Sequence, residues 1–380
     1  MRGLPPGRSA GSNTNPATFA VARMWGLDIP SDSTSLVFTI AIVTTLASLV
    51  LLLLCGLVQI RKRRQMLRVA EIHAQWRPIF LHAIEGERSE LPRGKAQRSV
   101  VVVQLWLQLA ELIRGTAQAR LAAFAHDLGF EHAALRWLSS RALRRRMLGV
   151  AVLGLMRSHA GIAPLARMVR DPDPVLSVLA MRSLLLIDAA AHLRHCLPDI
   201  AMREDWPLIR VAAVLAELPS EVVHPLFRKA LQDHRSKGSV RLLQLLQTAR
   251  IEGDKPTLER FLLLIQPAEV LVAALKATRS PQLVRAVRGL IGHPNAEVRT
   301  HVAIALARIG TRDDALRLAL MLSDESWAVR YQAAVALTRL PNLARSHLRL
   351  LLSALVNTQA TAIINQALAE RDALRRFRTT

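Results

Sequence analysis

Residues 293–310, HPNAEVRTHVAIALARIG, and residues 324–340, DESWAVRYQAAVALTRL, are two copies of one pattern. They stand 31 residues apart when Val298 is aligned with Val329. Three residues before each valine comes Asn295 or Ser326, side chains that cap a helix by accepting its first free N–H groups. Four, five and eight residues after it come Val302, Ala303 and Leu306 in one copy, and Ala333, Ala334 and Leu337 in the other. Those offsets share one face of an α-helix. A helix pair of this size cannot bury its apolar stripe alone, so a recurring unit of about 31 residues implies copies stacked on one another.

The same template extends upstream. Leu143 has Ser140 before it and Met147, Leu148 and Ala151 after it. Leu176 follows Asp173 and Pro174, with proline at a first helical position where its missing N–H costs nothing, and leads Ala180, Met181 and Leu184. Ile209 opens IRVAAVLAEL and Val240 opens VRLLQLLQTA, so the four anchors are 33, 33 and 31 residues apart. A further copy near Val270, with Pro267 at its cap position, fills the gap to Val298, and an imperfect terminal copy lies near Ala362. Each copy has room for a second helix, as in APLARMV, PLFRKAL, DALRLALML and HLRLLLSAL, with Gly310, Asp313 and Pro341 among the residues between. Residues 99–380 are therefore expected to form an all-α fold, a right-handed α-solenoid of about seven helix pairs. SVVVVQLWLQLAELIRG at 99–115 is its first helix. A composition of 51% hydrophobic but only 4% aromatic residues supplies few strand formers.

DPDPVLSVLAMRSLLLID at 171–188, with the two segments quoted above, resembles HEAT-like repeats of the short bacterial type. The D/N-P-x-x-V-R-x-x-A-A-x-A-L pattern is carried well by two copies and loosely by four or five, over roughly residues 130–370. The resemblance implies the fold and leaves the function open. Some HEAT-like proteins are enzymes. Deoxyhypusine hydroxylase binds iron through His-Glu pairs, and no His in this chain is followed by Glu. Phycobilin lyases share the repeats, but nothing in these residues marks a bilin site. Walker A, H-E-x-x-H and C-x-x-C motifs do not occur, so no catalytic residue and no cofactor is assigned.

Ahead of the repeats, Ser33 to Ile60 is 28 residues without a charge, followed at once by Arg61, Lys62, Arg63 and Arg64. About 20 apolar residues in a helix span a bilayer core. A cleaved signal peptide has a shorter apolar stretch and no basic run behind it. The organisation expected is a disordered extracytoplasmic tail at 1–34, a transmembrane helix at 35–60, a basic juxtamembrane helix and linker at 61–98, and the solenoid at 99–380. Met24 is an alternative start, which would leave a net negative tail with Trp25 at the outer interface. Basic residues stay on the cytoplasmic side, so the chain is expected to be single-pass, N-out, in a bacterial inner membrane. Arg outnumbers Lys 45 to 6, as in a GC-rich genome. Cys55 and Cys196 are too far apart in sequence to suggest a disulfide framework, in keeping with a reducing cytoplasm.

The formal charge of +22 calls for an acidic partner. Arg61, Lys62, Arg63 and Arg64 are the expected lipid headgroup contacts. An Arg follows each anchor at Arg144, Arg210, Arg241, Arg299 and Arg330. The HEAT-like resemblance implies that such an Arg bonds an acidic side chain or carbonyl in a neighbouring turn, with Asp171, Asp205 and Asp324 placed to serve. The alternative is a basic ridge that holds a partner or anionic ligand. Arg141, Arg144, Arg145 and Arg146 crowd one helix start, against the helix dipole. Arg371, Arg375, Arg376 and Arg378 end the chain. His192, His195 and Cys196 are the one cluster with a metal-like spacing, and no fourth ligand is near. The function expected is a membrane-anchored scaffold that binds a protein partner. Its layout resembles accessory subunits of envelope machinery such as polysaccharide synthesis. The alternative is binding of nucleic acid or anionic lipid.

Overall fold

The computed structural model describes residues 33–87, 99–233, 237–341, 343, 350 and 358–379. Among them are 18 α-helices and no strand. The chain divides into two units, Met1–Arg77 and Pro78–Thr380, and the division falls inside the first helix, α1 (Ser33–Glu85).

In the first unit α1 is apolar on every side from Ile40 to Ile60. Ile40, Leu46, Leu49, Leu52 and Leu57 are all exposed, and the stretch has no buried face. Its few polar side chains bond the helix's own backbone. The hydroxyl of Thr44 donates to Ile40 O at 2.8 Å, Thr45 to Ala41 O at 2.6 Å and Ser48 to Thr44 O at 2.7 Å. This is the only way a hydroxyl can be satisfied where neither water nor another element is at hand. α1 is long and apolar enough to cross a membrane by length and composition.

The second unit opens with the last turns of α1, where Phe80 meets Phe124 edge to face at 6.1 Å. Then come α2 (Val100–Leu112), α3 (Thr116–Asp127) and α4 (Phe130–Leu138). Val102 and Val103 of the valine run of α2 are buried, Val100 and Val101 half-buried, and Trp106 Nε1 donates to Leu121 O at 3.0 Å. Beyond α4 the chain alternates between two sets of helices. The first set is α5 (Leu143–Leu155), α7 (Pro174–Ile187), α9 (Leu208–Ala216), α11 (Lys237–Thr248), α13 (Ala268–Ala277), α15 (Ala296–Ile309), α17 (Trp327–Arg339) and α18 (Thr358–Thr379). Each packs on the next. The second set is α6 (Ile162–Met168), α8 (Ala189–Met202), α10 (Ser220–Asp233), α12 (Lys255–Phe261), α14 (Val284–Arg288) and α16 (Ala315–Leu320). This is an α-solenoid. The segment HLRLLLSAL, expected to pair with α17, lies outside the described residues apart from Leu350.

The buried residues set the register. Each first-set helix from α5 to α17 buries a quartet spaced i, i+1, i+3, i+4. It is Gly149, Val150, Val152 and Leu153 in α5, then Ala180, Met181, Ser183 and Leu184 in α7. It continues as Val211, Ala212, Val214 and Leu215 in α9, and Leu242, Leu243, Leu245 and Leu246 in α11. Leu271, Val272, Ala274 and Leu275 follow in α13, then Val302, Ala303, Ala305 and Leu306 in α15, and Ala333, Ala334, Ala336 and Leu337 in α17. Each quartet begins 31 residues after the last, except that α13 begins 29 after α11. The period is therefore more regular than the 33, 33 and 31 expected. The anchors at Leu176, Val298 and Val329 are in register. Leu143, Ile209, Val240 and Ala362 are each two residues off, and Val270 is three. The true positions are Arg145, Pro207, Gly238, Pro267 and Ala360, most of which carry no aliphatic signal. Ile209 is accordingly 76% exposed.

Capping follows the sequence in part. Asp173 accepts from the N–H groups of Val175 and Leu176 at 2.9 and 3.0 Å, and Asn295 from those of Glu297 and Val298 at 2.8 and 3.3 Å. Ser326 occupies the cap position of α17 but makes no side-chain cap bond. Close approach between α5 and α7 rests on Gly154, where a Cβ would meet Ser183 Cα at 2.7 Å. Ser183 Oγ donates to Val150 O at 2.9 Å across the same contact.

Candidate interaction surface

The five arginines that follow the expected anchors occupy three different helical positions, and the structure does not bring them into one row. Arg299 grips Asp324 with two bonds, Nε to Oδ2 at 2.7 Å and Nη2 to Oδ1 at 2.8 Å. Its Nη1 donates to the carbonyls of His293 and Pro294 at 2.8 and 2.9 Å. Asp324 also accepts the Ser326 N–H at 2.9 Å, and the Arg299 hydrogen bonds hold its carboxyl below the ordinary value against some desolvation. Arg330 donates to Asp324 O and Glu325 O at 2.7 and 2.9 Å. Arg241 is half-buried and reaches Ile200 O and Trp206 O at 2.7 and 2.6 Å. Arg241 and Arg299 tie neighbouring copies together through their turns, and Arg330 closes the turn of its own copy. Arg144 and Arg210 are exposed and engage no partner among the described residues.

The residue that matches Arg299 in the first copy is Arg146, whose Nη1 lies 3.1 Å from Asp171. Both arginines precede their aspartate by 25 residues. Arg141, Arg144 and Arg145 beside it are exposed and without an acidic partner among the described residues. At the other end Arg371 Nη1 donates to Thr338 O at 2.7 Å, and the side chains of Arg375, Arg376 and Arg378 lie outside the described residues. Arg61, Lys62, Arg63 and Arg64 are exposed on successive positions of α1.

A second knot escaped the sequence reading. Asp314 is fully buried and takes Arg288 Nε at 2.6 Å, Arg288 Nη2 at 2.9 Å and the Thr311 N–H at 2.9 Å. Burial alone would push its carboxyl up, but the hydrogen bonds and the charges of Arg288 and Arg317 outweigh that and hold it below the ordinary value. The signal was present, because Thr311 and Asp314 form a capping box with the S/T-x-x-D/E spacing.

His192, His195 and Cys196 sit on α8. His195 is exposed and Cys196 is buried, so they face different surroundings. Burial, with the Asp199 charge adding to it, pushes the Cys196 thiol up to about 12. It therefore stays protonated, which is unsuited to a thiolate ligand. No group of three metal-ligating side chains occurs among the described residues.

Residues 268–338 match the family model for HEAT repeats. They span α13, α15 and α17, where the 31-residue register and the Arg299–Asp324 knot are found. Over that stretch the chain carries HEAT-like repeats. No curated protein matches it. Among solved structures, the crystal structure of an engineered protein is similar at 15% identity and a TM-score of 0.32, covering 72% of this chain and 86% of that one.

The second unit also holds a cleft of 720 Å³ between α3 and the α5–α6 turn. Ala119, Ala122, Ala123 and Leu155 line its floor, with His126, Glu131 and Ser158 at one end. Ser158 Oγ donates to Glu131, whose other oxygen lies 3.3 Å from His126 Nε2. The carboxylate thus stands between hydroxyl and imidazole. A nucleophilic serine needs the imidazole in the middle, where it can take the hydroxyl proton. This arrangement fixes a turn and does not activate a nucleophile.

Proposed function

We propose that this protein is a single-pass, membrane-anchored scaffold whose HEAT-like solenoid works in the bacterial cytoplasm and binds a membrane-associated protein partner. The architecture is that of a helical-repeat scaffold. The observation that supports anchoring is the all-round exposure of the apolar stretch of α1, with its hydroxyls satisfied by its own carbonyls. A core helix of a soluble protein would bury a face. Arg61 to Arg64 directly after it favour the N-out orientation and headgroup contact. The internal bonding of Arg241, Arg299 and Arg330 leaves their backbone-tying role intact whatever partner is bound. Arg144 and Arg210 are the members of that set open to one. An accessory role in an envelope or polysaccharide-synthesis complex fits a rigid scaffold held at the membrane.

The test is in-cell crosslinking of the tagged full chain together with alkaline carbonate extraction of membranes. The reading expects the chain to stay in the pellet and one membrane protein to be recovered repeatedly through crosslinks on residues 99–380. Release by carbonate would sink the anchor. Recovery of nucleic acid in place of a protein would turn the reading toward phosphate binding.

A further inference from the structure

The exposed aliphatic residues of the repeats are not spread evenly. In a solenoid the turns that lead from a second helix into the next first helix lie along one edge, and the turns within each pair lie along the other. Hydrogen bonds confirm that neighbouring turns of the former kind touch. Arg203 donates to Val169 O and Asp171 O at 2.9 and 3.1 Å, and Arg299 reaches across to Asp324. On this edge the first helical turns expose Leu143, Val175, Ile209 and Trp327. The α12–α13 turn exposes Leu263, Leu264 and Ile265 in succession, the last at 87%. On the opposite edge the first helical turns of the second-set helices expose Leu316 alone among the described large apolar residues.

The same edge carries Arg141, Arg144 and Arg145, exposed at the start of α5 with no acidic partner among the described residues. Three cations at the positive end of a helix dipole are unfavourable unless an anion lies outside. Aliphatic tips and unpaired arginines along one edge are what an anionic bilayer surface accepts, since the tips enter the acyl boundary and the guanidinium groups meet phosphate. A protein groove would need the aliphatic residues in one concavity, whereas Leu263 to Ile265 stand on a turn. We propose that this edge of the solenoid docks on an anionic membrane surface, with Leu263, Leu264 and Ile265 entering the lipid and Arg141, Arg144 and Arg145 contacting headgroup phosphates. The proposal rests on the anchored reading above.

The test uses the full chain reconstituted into phosphatidylcholine vesicles with and without phosphatidylglycerol. A fluorescent probe is placed by Leu264→Cys or, on the opposite edge, by Glu252→Cys, each with Cys55→Ser. Cys196 is buried and protonated and does not compete for the label. The expected result is quenching of the 264 probe by nitroxide lipid in anionic vesicles only, while aqueous iodide reaches the 252 probe throughout. One basic residue is worth roughly fivefold in partition to such a surface, so R141Q/R144Q/R145Q should weaken docking roughly a hundredfold and return the 264 probe to iodide. If the 264 probe behaves like the 252 probe while a probe on native Cys55 is quenched by lipid, docking is refuted and the anchor stands. If the Cys55 probe is also reached by iodide, the anchored reading has failed and the proposal with it.

Discussion

At the residue scale, neighbouring copies are joined through arginines at their turns, Arg299 with Asp324 above all. Arg299 and Asp324 are both mostly shielded, and each satisfies backbone groups of its own turn as well as its partner. Asp324→Ala leaves Nε and Nη2 of Arg299 without their carboxylate acceptor and the Ser326 N–H without its partner. The loss is expected to be about 2 kcal/mol, read as a lower urea midpoint. The pH dependence has a separate source. Desolvation, with the charges of Lys276 and Arg308 against a smaller pull from Glu297, lowers the pKa of His301 below its ordinary 6.5. A depressed histidine binds more protons unfolded than folded, so its contribution is complete above about 6.5 and shrinks as pH falls through that value. His301→Gln should flatten the stability profile of the chain below that pH and leave it unchanged at pH 8, as followed by thermal unfolding across a pH series.

At the scale of single helices, burial separates residues that look alike in sequence. Val298→Ala removes two methyl groups from a fully buried site and should cost about 2 kcal/mol, whereas Ile209→Ala, at a solvated position, should stay within about 0.5 kcal/mol. Equal losses in denaturant titrations would overturn the 31-residue register. Gly154→Ala forces a Cβ against Ser183 Cα at 2.7 Å and should cost about 2 kcal/mol by pushing α5 away from α7. The helices themselves were legible because apolar residues recur at helical spacing. The register was only partly so, because three anchors are Arg145, Pro207 and Gly238, and the eye settles on the nearest aliphatic–arginine pair instead. The Asp171 bond to Arg146 shows where the first copy really starts, and its 25-residue spacing repeats at Arg299 and Asp324. What could not be read was which arginines are consumed internally, since that depends on turns brought together by stacking.

At the scale of the whole molecule, each copy of the second unit touches mainly its neighbours, so stability is expected to be local and to decay along the stack. The terminal helix α18 offers a clean place to test this. Ile364 and Ala367 are buried, Tyr331 donates to Glu370 at 2.5 Å, and Arg371 donates to Thr338 O, all joining α18 to α17. Ile364→Asp should therefore strip α18 from its neighbour. α17 would then lose the cover over its outer face, while α5 and α7 keep every contact they have. Hydrogen exchange of the full chain is expected to speed up strongly in 358–379, clearly in 327–339 and not measurably in 143–187. The 29-residue step between α11 and α13 is the one break in an otherwise uniform period, and a change in protection that stops there would mark it as a joint between two cooperative blocks. Uniform acceleration from α18 back to α5 would instead show that the solenoid unfolds as one body.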